Sequence, residues 1–202
     1  MLKIGVLVSG RGSNLQALID AIEAKKINAE IAVVISNVPG VMGLDRAKKH
    51  GIKAVVIDGR EHSDKSSYEK QVIKALDENN VGLVCLAGYM KLLSPELVHH
   101  FRGKIMNIHP ALLPAFPGLH VQKKALEYGV KYSGCTVHFV DEGCDTGPII
   151  LQAVVPVLDS DTEETLSARI LEQEHKIYPE AIRLFSEGKL KIEGRRVKIE
   201  TK

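Results

Sequence analysis

Asn107 and His109 stand two residues apart in Lys104-Ile105-Met106-Asn107-Ile108-His109-Pro110, a run that reads as a short buried strand ended by a proline. Side chains alternate along a strand, so Asn107 and His109 share one face while Met106 and Ile108 turn to the core. An amide N–H can stabilise a developing oxyanion, and an imidazole changes charge near neutral pH. The pair is equipped to stabilise an oxyanion and to move a proton. A third candidate is Asp145, in the glycine-bounded loop Asp141-Glu142-Gly143-Cys144-Asp145-Thr146-Gly147-Pro148 between two strand-like runs. A carboxylate beside His109 would favour the imidazolium and raise its pKa, making the ring an acid at neutral pH. Loop capping is the alternative reading of Asp145.

The segment Ser9-Gly10-Arg11-Gly12-Ser13-Asn14-Leu15 lies between the first strand-like and first helix-like runs. Two glycines let backbone N–H groups approach a ligand, and a helix amino terminus favours an anion, so the loop reads as a cradle for a mononucleotide-sized phosphate or else as a tight turn and cap. The dinucleotide fingerprint is incomplete, because Ser36-Asn37 ends the second strand where an acidic residue would be needed. His138 alternates with Val137 and Phe139 and is placed to line a cleft, whereas His50, His62, His99 and His100 read as surface residues. No His, Cys, Asp or Glu spacing matches a metal site, and no metal is expected. A thiol mechanism through Cys144 is disfavoured by the adjacent carboxylate.

These groups need a scaffold. Lys3–Val8, Leu15–Ala24, Ile31–Ser36, Met42–His50, Ala54–Ile57, Tyr68–Glu78 and Leu83–Ala87 alternate strand and helix, which predicts an α/β fold: a mostly parallel, doubly wound sheet with helices on both faces and ligands at the strand carboxyl ends. After Pro95 the rhythm changes to a short helix, the Asn107/His109 strand, a Pro/Gly-rich loop to Gly118, a helix to Tyr128 and strands at Thr136–Val140 and Pro148–Val157. Leu166, Ile170, Ile177, Ala181, Ile182 and Phe185 predict a long helix over Thr162–Phe185 with Asp161 as N-cap, and Leu190–Ile199 reads as a hairpin. One domain of 202 residues with a lobe at 1–100 and a second at 101–202 accommodates all of this. The 27 basic and 25 acidic residues are well mixed, so nucleic acid is not expected as a partner. No run is long and apolar enough to span a membrane, the start lacks signal-peptide character, and three unpaired-looking cysteines argue against a disulfide framework, so a cytoplasmic location is expected.

Gly10 to Leu15, Leu86-Ala87-Gly88-Tyr89-Met90-Lys91-Leu92-Leu93-Ser94-Pro95, Asn107-Ile108-His109-Pro110 with Leu112-Leu113-Pro114, Asp145-Thr146-Gly147-Pro148 and Gln173-Glu174-His175 with Tyr178-Pro179 together resemble the phosphoribosylglycinamide formyltransferases, from Lys3 to about Phe185. The resemblance implies a Rossmann-like sheet continued by a C-terminal formyltransferase lobe. It implies transfer of a formyl group from 10-formyltetrahydrofolate, as co-substrate, to the amine of glycinamide ribonucleotide in purine biosynthesis, and it allows a homodimer. It further implies that Asn107, His109 and Asp145 are catalytic. Gly12, Ser13, Asn14 and Glu174 would bind the ribotide; Lys65, Met90, Lys91, Leu92, Leu93, Asn107, Asp141 and Asp145 would line the folate pocket. Lys65 departs from the family, which often has arginine there: the charge is kept and the planar fork lost. Other readings are the catalytic part of a methionyl-tRNA formyltransferase, which should continue into a basic RNA-binding domain, a formyltetrahydrofolate deformylase, which should carry an extra amino-terminal domain, and a noncatalytic nucleotide- or folate-binding module.

Overall fold

A computed structural model describes residues 1–200; residues 201 and 202, the end of the expected second lobe, lie outside it. The chain forms two compact units, Met1–Met106 and Asn107–Lys202. They divide inside a strand rather than at the expected 100/101 position, because Val84 N–H donates to the Lys104 carbonyl at 2.8 Å and draws the start of that strand into the first unit.

In the first unit β1 (Leu2–Val8), α1 (Ser13–Glu23), β2 (Ala29–Ser36), α2 (Met42–Lys49), β3 (Ala54–Val56), α3 (Lys65–Glu78), β4 (Leu83–Leu86) and α4 (Pro95–His100) follow in order, with strand order β3-β2-β1-β4. β1 pairs in parallel with β2 and with β4, and β2 with β3. β4 therefore adds on the opposite side of β1 from β2. With right-handed crossovers, that reversal puts α1 and α2 on one face and α3 on the other. Strands covered on both sides must be apolar throughout, and Val6, Leu7, Val8, Val33, Val34, Ile35, Leu83, Val84 and Cys85 are fully buried. The reversal opens a crevice at the carboxyl ends of β1 and β4, where such sheets bind ligands.

β5 (Ile105–His109) leads into the second unit, which continues through α5 (Val121–Tyr128), β6 (Tyr132–Phe139), β7 (Ile149–Pro156), α6 (Glu163–Ser186), β8 (Leu190–Glu193) and β9 (Arg196–Ile199). β6 and β7 pair antiparallel over nearly their whole length, β9 follows β7, and β8 and β9 form the expected hairpin. α6 buries Leu166, Ile170, Tyr178, Ala181 and Ile182 and packs on β6 and β7. Its N-cap is Thr162, not Asp161: Thr162 accepts from the Thr165 N–H in a capping box, while Asp161 is drawn into a two-pronged pair with Arg169 at 2.7 and 2.8 Å. Among the described residues no helix is long and apolar enough to cross a membrane.

Ile170 is fully buried where α6 meets the sheet, so Ile170→Ala should lower the unfolding free energy by about 2–5 kcal/mol. Denaturant titration checks this; a loss below about 1 kcal/mol would mean that α6 does not close the core of its unit.

Candidate active site

In the second unit, β5 carries Asn107 and His109 toward the loop that follows β6. His109 is 4 % exposed and its Nδ1 lies 3.4 Å from Asp145 Oδ2. Asn107 Nδ2 lies 3.4 Å from Asp145 Oδ1 and 3.2 Å from His138 Nε2. The three residues separated in sequence thus meet, and His138, 2 % exposed, joins them. Two backbone groups of the 111–118 loop complete the cluster. The Phe116 carbonyl lies 2.9 Å from His109 Nε2, and the Gly118 N–H donates to Asp145 Oδ2 at 2.9 Å. Neither carries a residue-type signature that sequence reasoning could have found.

Hydrogen-bond roles follow from what each atom can do. A carbonyl only accepts, so His109 holds a proton on Nε2, and a second proton would enter at Nδ1, facing the carboxylate. His138 Nδ1 likewise faces the Phe139 carbonyl at 2.8 Å. Its Nε2 faces the Asn107 amide at 3.2 Å.

Burial raises the Asp145 pKa, but His138, the Gly118 N–H and His109 outweigh it and hold the carboxyl down at about 2. His109 departs from expectation. Burial lowers its pKa, and although the Phe116 carbonyl and Asp145 raise it, His138 and Lys124 add to the lowering and the net direction is down. Burial thus works against the preformed imidazolium that the His109–Asp145 pairing alone implies. Cys144 is pushed up by burial and by Asp145, whose Oδ2 lies 3.6 Å from its Sγ, so the thiol stays protonated. Asp145 itself is left-handed, at φ 56°, a conformation that aspartate tolerates better than most residues. Asp141 turns into its own loop, accepting from the Gly143 N–H at 3.1 Å and the Thr146 hydroxyl at 2.6 Å. Glu174 is buried on α6 close enough to Cys135 to add to the rise that burial causes in that thiol.

In the first unit, Gly12, Ser13 and Asn14 start α1, with Gly12 as a left-handed N-cap at φ 67°. Ser9 joins this loop to the one after β4: its N–H donates to the Gly88 carbonyl at 3.1 Å and its hydroxyl accepts from the Met90 N–H at 2.8 Å. Met90 and Leu92 are 66 % and 67 % exposed, Leu93 is half-buried, and Lys91 sits over the Tyr68 ring at 4.5 Å. Buried Glu69 accepts the Ser94 N–H at 2.9 and 3.1 Å, and Lys65 reaches the same carboxylate at 4.0 Å. Lys65, Tyr68, Glu69, Lys91 and Leu92 line a cavity of about 520 Å³. Among the described residues no group of three or more His, Cys, Asp or Glu side chains is arranged to hold a metal.

Comparison with known proteins gives this geometry its context. The model of the formyl transferase family matches residues 2–182. The trifunctional purine biosynthetic protein adenosine-3 of Drosophila pseudoobscura pseudoobscura is 52% identical over 94% of this chain, which spans only 14% of that relative's length. The phosphoribosylglycinamide formyltransferase of Escherichia coli (strain K12) is 44% identical over 95% of this chain and 90% of its own. A crystal structure of glycinamide ribonucleotide transformylase 1 from Symbiobacterium toebii matches with a TM-score of 0.97 at 53% identity, covering 98% of this chain and 94% of that one. A family model that spans most of the sequence, and a bacterial relative aligned over nearly its full length, place the conclusion beyond the fold alone: the chain belongs to the formyl transferase family, in its phosphoribosylglycinamide formyltransferase branch.

Proposed function

We propose that this protein transfers the formyl group of 10-formyltetrahydrofolate to the amine of glycinamide ribonucleotide, a cytoplasmic step of purine biosynthesis. The observation that carries the reading is the Asn107–His109–Asp145 cluster, in which the amide Nδ2 of Asn107 and the buried imidazole of His109 each lie 3.4 Å from an oxygen of the Asp145 carboxylate. Gly12, Ser13 and Asn14 would hold the ribotide phosphate through backbone N–H groups and the helix dipole, with Glu174 on its other groups. Lys65, Met90, Lys91, Leu92 and Leu93 would hold the folate, and Asp141, engaged within its own loop, would act on it by shaping the 141–145 segment. Bound 10-formyltetrahydrofolate would supply the formyl carbon and a nitrogen that takes up a proton as the carbon leaves it.

The residues divide the work. An α-amino group has a pKa of about 7.7–8.0, so roughly a tenth is neutral at pH 7 and no strong base is needed to prepare the nucleophile. Asn107 donates through Nδ2 to the formyl oxygen as it becomes negative, and one such preorganised donor is worth about 2.7–4 kcal/mol. The proton of the attacking amine passes to the departing nitrogen through His109 or a water held by Asp145, and the imidazolium form of the ring is held between the Phe116 carbonyl and Asp145. Burial keeps the charged ring from persisting, and Asp145 keeps it reachable.

Mixing the protein with glycinamide ribonucleotide and 10-formyltetrahydrofolate and following loss of the formyl donor tests the activity. Loss should require the ribotide; ribotide-independent loss would make the protein a hydrolase, and no loss would end the reading. Asn107→Ala should lower kcat by about 10²–10³ with little change in ribotide KM; an unchanged kcat would remove Asn107 from the chemistry. The His109 ring should titrate below its ordinary value of 6.5, with an NMR midpoint that falls further in Asp145→Asn, because the carboxylate is among the influences raising it. A midpoint that rises in that variant would contradict the assignment. The linkage has the matching sign: the stability that His109 contributes is present above its unfolded value and is lost as pH falls through the folded one.

A further inference from the structure

α1 begins at a glycine with no side-chain cap. The earliest bond along the helix runs from the Gln16 N–H to the Gly12 carbonyl at 3.0 Å, so the N–H groups before it point out of the amino-terminal end. What aims these donors lies behind them, on α2. The Gly10 carbonyl accepts from the Gly43 N–H at 3.0 Å, and the Arg11 carbonyl accepts from Arg46 Nε at 2.9 Å. Arg46 Nη1 also donates to Gln16 Oε1 at 3.0 Å, on the first turn of α1. A trans peptide points its N–H opposite its C=O. Holding the Gly10 and Arg11 carbonyls toward α2 therefore turns the Arg11 and Gly12 N–H groups the other way. Close approach is built in: a Cβ on Gly12 would stand 2.8 Å from the Gly43 Cα, and one on Gly43 would stand 3.2 Å from the Gly10 oxygen.

We propose that Arg46, with Gly43, is a positioning residue that fixes the peptide planes of the Gly10–Gly12 loop so that their N–H groups form the cradle for the ribotide phosphate. The proposal rests on the phosphate reading of that loop. Arginine is suited to the task because one planar fork spans the Arg11 carbonyl and the Gln16 side chain at fixed separation, which a lysine ammonium cannot. Left without this hold, the peptide between Arg11 and Gly12 is able to flip, and an oxygen would then face the anion.

The test is steady-state kinetics of Arg46→Ala and Arg46→Lys, with inorganic phosphate as a competitive probe of the loop. Both variants should raise the ribotide KM and the phosphate inhibition constant about tenfold or more, with kcat and the KM for the formyl donor held within about twofold. Gly43→Ala should move the same two constants by an unrelated route, which keeps the proposal testable if loss of Arg46 impairs folding. An unchanged ribotide KM in Arg46→Ala, with or without a lower Tm, overturns the proposal, and so does full recovery in Arg46→Lys, since charge alone would then suffice. Inorganic phosphate separates the two levels. If it does not compete with the ribotide on the unsubstituted protein, the phosphate reading fails and the proposal falls with it; if it competes there and equally well on Arg46→Ala, only the role of Arg46 fails.

Discussion

A carboxylate withdrawn from solvent is the constraint around which the second unit is organised. Asp145 has a side chain 14 % exposed, and each of its oxygens faces two neighbours: Oδ1 the Asn107 amide and, at 3.7 Å, His138, and Oδ2 the Gly118 N–H and the His109 ring. A buried charge persists only with such partners, and removing one from a pair typically costs about 3–5 kcal/mol. The cost explains why the loop accepts a left-handed non-glycine residue at this position. It also explains why four separate segments converge: β5 supplies the amide and one ring, the 111–118 loop two backbone groups, β6 the second ring and the 141–146 loop the charge.

The backbone contributes to this as much as the side chains. Thr136, fully buried on β6, donates to the Ala111 carbonyl at 2.7 Å and accepts from the Leu113 N–H at 3.0 Å, while the Gln152 amide donates to both Thr136 and the Leu113 carbonyl at 2.9 Å. These bonds fix the segment leading out of β5, and the same segment then delivers the Phe116 carbonyl to His109. The imidazole tautomer is thus decided by a main-chain atom whose placement depends on residues several positions away. The first unit uses the same device, with loop carbonyls tied to α2 and Ser9 tied to the loop after β4.

Much of this was legible in the sequence because it depends on local periodicity. Two polar residues spaced by two on an apolar strand, the alternation from Lys3 to Ala87 and the apolar stripe of α6 are patterns that burial imposes directly. What was not legible depended on tertiary choice. Asp161 and Thr162 are both capable caps, and only the arrival of Arg169 settles that Asp161 pairs and Thr162 caps. The meeting of Asp145 with β5 depends on the register of the β6–β7 hairpin, which no spacing encodes. The His109 pKa divides the same way: Asp145 raises it as the sequence leads one to expect, while the depth of burial that turns the net direction down is a tertiary property no spacing encodes.

The opposition of burial and carboxylate bears on the chemistry. A permanently charged imidazolium would be a good hydrogen-bond donor and a poor proton acceptor, so it could stabilise an oxyanion but not take the amine's proton. A ring left without a carboxylate in the same dry surroundings would have the opposite defect, because its charged form would lie too far uphill. Burial and Asp145 act against each other on one nitrogen, Nδ1, since the other is occupied by Phe116. The net direction is toward the neutral ring, with Asp145 opposing it. On the proposed reading, Asn107 carries the oxyanion and leaves His109 free to move the proton, which is why the cluster needs both residues on the same face of β5.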